Sequence, residues 1–158
     1  MQEIERKFLL KDKEAFKQEA FRSTKIFQGY LNSDPFRTVR LRIRNEKGFL
    51  TIKGKSGEDG LSRFEWEKEI PLNEAENLIA FCEPGLIEKI RYEVKSGDHI
   101  VEVDEFSGEN EGLLIAEVEL NAEDEKFQIP DWLGPEVTGQ LEYYNSYLSK
   151  NPFRNWKK

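Results

Sequence analysis

A chain of 158 residues with 37% hydrophobic and 35% charged side chains is long enough to bury a core, yet dense in charge for its size. The formal net charge of -7 excludes a broad nucleic-acid or anionic-membrane surface, so a polyanion must meet a local basic cluster or metal ions that bridge it to carboxylates. A single cysteine, Cys82, and a single histidine, His99, exclude a disulfide framework, a cysteine zinc site and histidine-based triads.

Met1 runs directly into the charged segment Gln2–Lys7, which leaves no room for a secretory leader. No apolar run approaches the ~20 residues of a membrane span. The expectation is a cytoplasmic chain of one domain over 1–158. Its elements follow period-two alternation for most of its length. Glu3–Leu10 sets Glu3, Glu5 and Lys7 on one face. Asp12–Phe21 reads as a short amphipathic helix, and Thr24–Asn32 as a strand with Gln28, Tyr30 and Asn32 sharing a face. In Thr38–Arg44, Arg40, Arg42 and Arg44 oppose Val39, Leu41 and Ile43. Phe49–Lys55 carries Thr51, Lys53 and Lys55 against Leu50 and Ile52. Arg63–Ile70 sets Arg63, Glu65 and Glu67 against Phe64 and Trp66. Asn73–Cys82 reads as a helix capped by Asn73 and stopped at Pro84–Gly85. Leu86–Val94 opposes Lys89, Arg91 and Glu93 to Ile90 and Tyr92. Ile100–Phe106 opposes Glu102 and Asp104 to Val101 and Val103, and Leu114–Leu120 opposes Glu117 and Glu119 to Ala116 and Val118. The last predicted element is a helix over Gln140–Ser149, stopped by Pro152. Gly57–Gly60, Ser96–Asp98 and Ser107–Gly112 have turn chemistry.

One strand with a charged face is ordinary at a sheet surface. Seven strands with that habit, acid concentrated on some and base on others, point to a mainly β chain (α+β). Its antiparallel sheet closes into a barrel around a charged lumen, with a few peripheral helices. Charges brought inside must be paired or bound to ions. An all-oxygen ligand set without His or Cys favours Mg²⁺ or Mn²⁺ over zinc. Carboxylates two residues apart on a strand lie ~6.6 Å apart along it and can serve one ion or two neighbouring ones. The basic side chains would grip phosphate oxygens.

The ordered set Glu3-x-Glu5-x-Lys7, Gln28-Gly29-Tyr30-Leu31, Arg40-x-Arg42, Thr51-Ile52-Lys53-Gly54, Arg63-x-Glu65-x-Glu67, Glu88-Lys89-x-Arg91, Glu102-Val103-Asp104-x-Phe106, Ala116-Glu117-Val118-Glu119 and Glu136-Val137-Thr138 resembles the CYTH or triphosphate tunnel metalloenzyme superfamily over nearly the whole chain. The resemblance implies an eight-stranded antiparallel tunnel and divalent-cation chemistry on triphosphates. Size and the opening residues are most similar to short bacterial inorganic triphosphatases. The histidine-phenylalanine pair of class IV adenylate cyclases is absent. Where the family carries an acidic and then a basic residue after Thr138, this chain has Gln140 and Glu142, which changes the charge of the C-terminal helix.

In that tunnel, Glu3, Glu5, Glu102, Asp104, Glu117 and Glu119 are the expected metal ligands, for two ions: one bridging phosphate oxygens, the other activating water. Lys7, Arg40, Arg42, Lys53, Lys89 and Arg91 are the expected phosphate binders. Tyr30, Lys53 and Arg40 are the candidates for catalysis, Tyr30 either as a base or as a hydrogen-bonding anchor of the barrel. Glu65 and Glu67 orient the bases. Trp66, Trp132 and Trp156 are read as packing and His99 as exposed. The expected reaction is hydrolysis of inorganic tripolyphosphate. Thiamine triphosphate hydrolysis and ATP cyclisation stand as alternatives on the same scaffold, and a non-catalytic polyphosphate or nucleotide binder as another. The outward apolar faces (Val39, Leu41, Ile43, Ile52, Trp66, Ile90, Val101, Val103, Val118) predict a homodimer.

Overall fold

The computed structural model describes residues 2–58 and 60–156. Met1, Asp59, Lys157 and Lys158 lie outside it, and with them part of the Gly57–Gly60 turn. Nine strands form: β1 (Gln2–Leu10), β2 (Ala20–Asn32), β3 (Arg37–Arg44), β4 (Lys47–Gly54), β5 (Ser62–Ile70), β6 (Ile87–Ser96), β7 (His99–Phe106), β8 (Leu114–Glu119) and β9 (Leu133–Glu136). Eight of them run in the order β5-β4-β3-β2-β6-β7-β8-β1, and β1 pairs with β5 to close the ring. All pairings are antiparallel. Closure happens within one strand: Gln2–Ile4 face β5 and Glu5–Phe8 face β8. β9 adds beside the second half of β1, with a register shift between Phe8 and Leu10.

The alternation in the sequence becomes inside and outside. Thr38, Arg40 and Arg42 of β3 and Thr51 and Lys53 of β4 are buried although polar, while Ile52 between the last two is exposed. Outside, Phe8, Val94, Val101, Val103 and Val118 pack with Phe16 and Trp132 into an apolar cluster. Phe16 sits on α1 (Ala15–Glu19), a single turn that seals this wall. Removing such a side chain from water contributes roughly 1.5–3 kcal/mol each. Ile87, Phe106, Leu113, Ile115 and Leu148 form a second cluster, with Tyr143, Phe153 and Trp156 packed against it.

Several expectations are corrected. Leu41, Val101, Val103 and Val118 are not an exposed outer wall, since each is buried in the structure. The apolar side chains left bare on β4 and β5 are Ile52, Phe64 and Trp66. The second helix, α2 (Leu72–Ile79), starts before Asn73, and its N-cap is Pro71, whose φ of -58° is already set for entry. The predicted helix over Gln140–Ser149 is broken into a 3-10 turn at Leu141–Tyr143 and a one-turn α3 (Asn145–Leu148), because Tyr144 between them is extended. His99 is half-buried and pairs with Glu125 at 2.6 Å. Among the described residues no helix is long and apolar enough to cross a membrane.

Candidate active site

The lumen holds a cavity of about 160 Å³ whose lining is almost wholly polar and charged. Strand alternation places Glu3, Glu5 and Lys7 of β1 on it, facing Glu117 and Glu119 of β8, while Arg40 and Arg42 of β3, Lys53 of β4 and Arg91 of β6 line it from the other strands. Tyr30 and Glu102 also reach it. Tyr30 stands opposite Arg40, and Gln28 opposite Arg42, across the β2–β3 ladder.

On the acidic side, Lys53 Nζ donates to both oxygens of Glu3, at 2.8 and 3.1 Å. Lys7 Nζ donates to Glu117 at 3.3 Å and lies 3.9 Å from Glu5. Burial, with the neighbouring Glu117 charge, pushes the Glu5 carboxyl up to about 8. Burial would raise Glu117 as well, but the Lys7 and Arg91 cations hold it well below the usual carboxylate range. Burial raises Glu3 and Glu119, each beside other carboxylates. Glu102 is also raised by burial and lies 3.5 Å from Arg91.

On the basic side, compensation runs out. Arg42 Nε donates to the neutral Gln28 Oε1 at 3.0 Å, and Arg42 makes no ion pair among the described residues. Burial and the adjacent Arg40 and Arg91 charges push its pKa well below the ordinary value. Arg40 donates to Thr51, which donates on to Glu67, and Glu67 itself is 3.9 Å from the guanidinium. Among the described residues Arg40 Nε, Gln28 Nε2 and, beside the acidic wall, Arg63 Nη1 are buried without a hydrogen-bond partner, although Arg63 Nε lies 4.0 Å from Glu3. Such orphan donors are costly unless a ligand accepts from them.

Asp104 and Lys89, expected on the lumen surface, do not line this cavity; they sit in an ion-paired cluster behind it. Asp104 accepts from Lys89 Nζ at 2.8 Å and from Arg91 Nε and Nη2 at 2.8 and 2.9 Å. Burial opposes its ionisation, but the Arg91 and Lys89 cations win and drive its pKa down. Lys89 also donates to Asn145 Oδ1 at 3.3 Å.

The sequence reading left Arg63 without a role, although its alternation with Glu65 and Glu67 was visible. It also missed Tyr144, which no strand pattern could have placed. Tyr144 is buried, and its ring lies 4.8 Å from Lys7 Nζ and 5.3 Å from the Arg63 guanidinium.

Among the described residues no group of three or more His, Cys, Asp and Glu side chains forms a ready cage for an ion. The donor set nevertheless suits Mg²⁺ or Mn²⁺, which take one or two carboxylates and complete their shells with substrate oxygens and water. The raised Glu5 beside Glu117 marks the excess negative charge a divalent ion would relieve.

Tunnel and charge pattern together define the class, and comparison with known proteins agrees: residues 1–150 match the CYTH domain, and the chain belongs to the CYTH family. It is 48% identical over 156 residues to an inorganic triphosphatase of Acetivibrio thermocellus, covering 98% of this chain and 97% of that one. It is 37% identical over 154 residues to an inorganic triphosphatase of Nitrosomonas europaea, covering 94% and 97%. A solved inorganic triphosphatase, 34% identical, superposes with a TM-score of 0.63 over 92% of this chain and 96% of its own.

Proposed function

We propose that this protein is a divalent-cation-dependent triphosphatase that hydrolyses inorganic tripolyphosphate to diphosphate and orthophosphate. The observation that carries the reading is the row of buried, under-compensated guanidinium groups facing a wall of carboxylates across one small cavity. A dense anion bridged by cations to those carboxylates balances both walls at once.

Arg40, Arg42 and Arg91 grip phosphate oxygens in this reading, Arg63 joins them, and Lys7 and Lys53 act as point charges. Glu3, Glu5, Glu117 and Glu119 would hold the divalent ions, two by preference, with Glu102 at the edge of the set. Bound Mg²⁺ or Mn²⁺ neutralises phosphate charge and lowers the pKa of a water nucleophile. Water adds to a terminal phosphorus, the bridging P–O bond breaks, and its electron pair leaves on diphosphate. Positioning and charge neutralisation supply most of the rate in such transfers. Arg40 and Lys53 meet the charge that develops, the attacking water's protons leave on the phosphate products, and Tyr30, lining the cavity opposite Arg40, is the candidate to relay one. Asp104 and Lys89 act one step back, fixing Arg91.

Tripolyphosphate serves better than a nucleotide in this reading because the cavity's lining is polar on all sides. Phosphate release from a panel of triphosphates, with Mg²⁺ and Mn²⁺ varied, tests it. Rapid release from tripolyphosphate only with a divalent ion, and slower release from ATP, is expected. Equal or faster turnover of ATP, or full activity in excess EDTA, overturns it. We also read the chain as a cytoplasmic homodimer that pairs through the bare Ile52, Phe64 and Trp66 wall, with each tunnel complete in one copy.

A further inference from the structure

The two ends of the tunnel are built differently. At one end the free space beside Glu3, Glu5 and Lys7 narrows to about 10 Å³, room for no more than a single water. Tyr144 is the barrier, lying over Lys7 and Arg63 with its hydroxyl 3.2 Å from Ser56 Oγ, and it separates this space from an outer cavity of about 250 Å³ that Tyr144 and Lys55 also line. The backbone closes there too. Gly60 has φ +74°, and a Cβ on it would stand 2.4 Å from Gly139 Cα.

At the other end the lumen continues past Arg44, Arg91 and Glu102 into a second cavity of about 240 Å³, which those three side chains also line. Its rim carries Arg22, Arg44 and Lys47. The β3–β4 hairpin turns through Asn45 and Glu46, at φ 52° and 61°, and so sets Arg44 directly opposite Lys47. Arg44 rests its guanidinium 4.4 Å from the Phe49 ring centroid, leaving its charge free of a carboxylate among the described residues. Arg22 has only Glu93 at 3.6 Å and is largely exposed. On a chain of net charge -7, this is a local cationic funnel that leads into the lumen.

We propose that the polyphosphate substrate docks at and enters through the Arg22–Arg44–Lys47 mouth, and that the Tyr144 end is closed to it. The proposal rests on the triphosphatase reading and adds a site outside the catalytic lumen. Lys47 and Lys55 allow a matched test, because they flank opposite ends of β4, both are exposed, and reversing either changes the net charge equally.

Steady-state hydrolysis of tripolyphosphate is measured for wild type, Lys47→Glu and Lys55→Glu at low and high ionic strength. Lys47→Glu is expected to lower kcat/KM about tenfold at low salt with kcat within about twofold, and the deficit should shrink as salt rises. Lys55→Glu is expected to change kcat/KM by less than about twofold. Arg22→Glu should behave as Lys47→Glu does. An equal or larger loss for Lys55→Glu, or an unchanged kcat/KM and salt slope for Lys47→Glu, overturns the proposal. A wild type that releases no phosphate refutes the hydrolase reading instead. Calorimetric binding of tripolyphosphate to the same three proteins in the absence of divalent ions then reads the mouth's contribution without turnover, with weakening by Lys47→Glu and not by Lys55→Glu required.

Discussion

Two sets of buried cations, one in the wall of this tunnel and one reaching behind it, meet opposite treatment from their neighbours. Lys89 and Arg91 converge on Asp104, which spends both oxygens on them at 2.8–2.9 Å. Among the described residues Arg42, two strands away, has only the side-chain carbonyl of Gln28, and Arg40, 3.9 Å from Glu67, keeps a buried N–H with no acceptor. The first set has its counter-charge within the fold, although burial still pushes Lys89 down to about 7 and Arg91 still lines the cavity; the second finds its counter-charge only in an anion. A buried charge that is satisfied holds the fold, and one that is not marks where a ligand will satisfy it.

The ion-paired set depends most on Asp104. Asp104→Ala leaves Lys89 buried without a carboxylate partner and Arg91 with Glu102 alone at 3.5 Å, and a loss of roughly 3–5 kcal/mol in unfolding free energy is expected. Urea denaturation without substrate measures it, with Asp104→Asn as the milder variant should the alanine protein fail to fold. A loss below about 1 kcal/mol would mean that the cluster is already relieved by solvent.

Arg42 should show the reverse. Arg42→Met removes a crowded, unpaired charge and keeps much of its apolar volume, so stability in the absence of substrate is expected to hold or rise. Phosphate release from tripolyphosphate should fall about 10²–10³-fold, the scale on which one preorganised charge donor acts. Lost stability with retained turnover would exchange the roles of the two sets.

Much of this division could be read from the sequence, and some could not. The alternation of Arg40 and Arg42 with Val39 and Leu41, and of Glu3 and Glu5 with Ile4, fixes which side chains share a face, because a strand has period two whatever it pairs with. It does not fix partners. Lys89 and Arg91 look alike in the sequence to Arg40 and Arg42, and only the β6–β7 register, with Arg91 opposite Asp104, separates a satisfied cation from an unsatisfied one. β9 was illegible because Gly134 and Pro135 argue against a strand, and it survives as an outer edge beside β1. The C-terminal helix was misread because Leu141, Tyr144 and Leu148 have helical spacing, while the contacts of Tyr144 with Lys7, Arg63 and Ser56 draw it out of the helical register.

The acidic wall gives the smallest effect and the finest test. Glu5 is pushed up to about 8, first by burial and then by Glu117, whereas an unfolded glutamate titrates near ~4.3. A carboxyl raised in the fold holds its proton more tightly there than in the unfolded chain. Its stabilising contribution is therefore fully present below the unfolded value and is lost as pH rises through the folded one. Without divalent ions, stability is expected to fall between about pH 4.5 and 8, by ~2 kcal/mol once the proton is shared with Glu117, or roughly 5 °C in melting temperature. Glu5→Gln, neutral at every pH, should flatten that slope and raise the melting temperature at pH 8. Because the ionised wall is what a divalent ion would bind, Mg²⁺ or Mn²⁺ at pH 8 should restore the melting temperature of wild type and do far less for Glu5→Gln. Melting curves of both proteins across pH, with and without the ion, decide it. A wild-type slope that survives in Glu5→Gln would place the titrating group elsewhere and leave Glu5 a structural partner of Lys7.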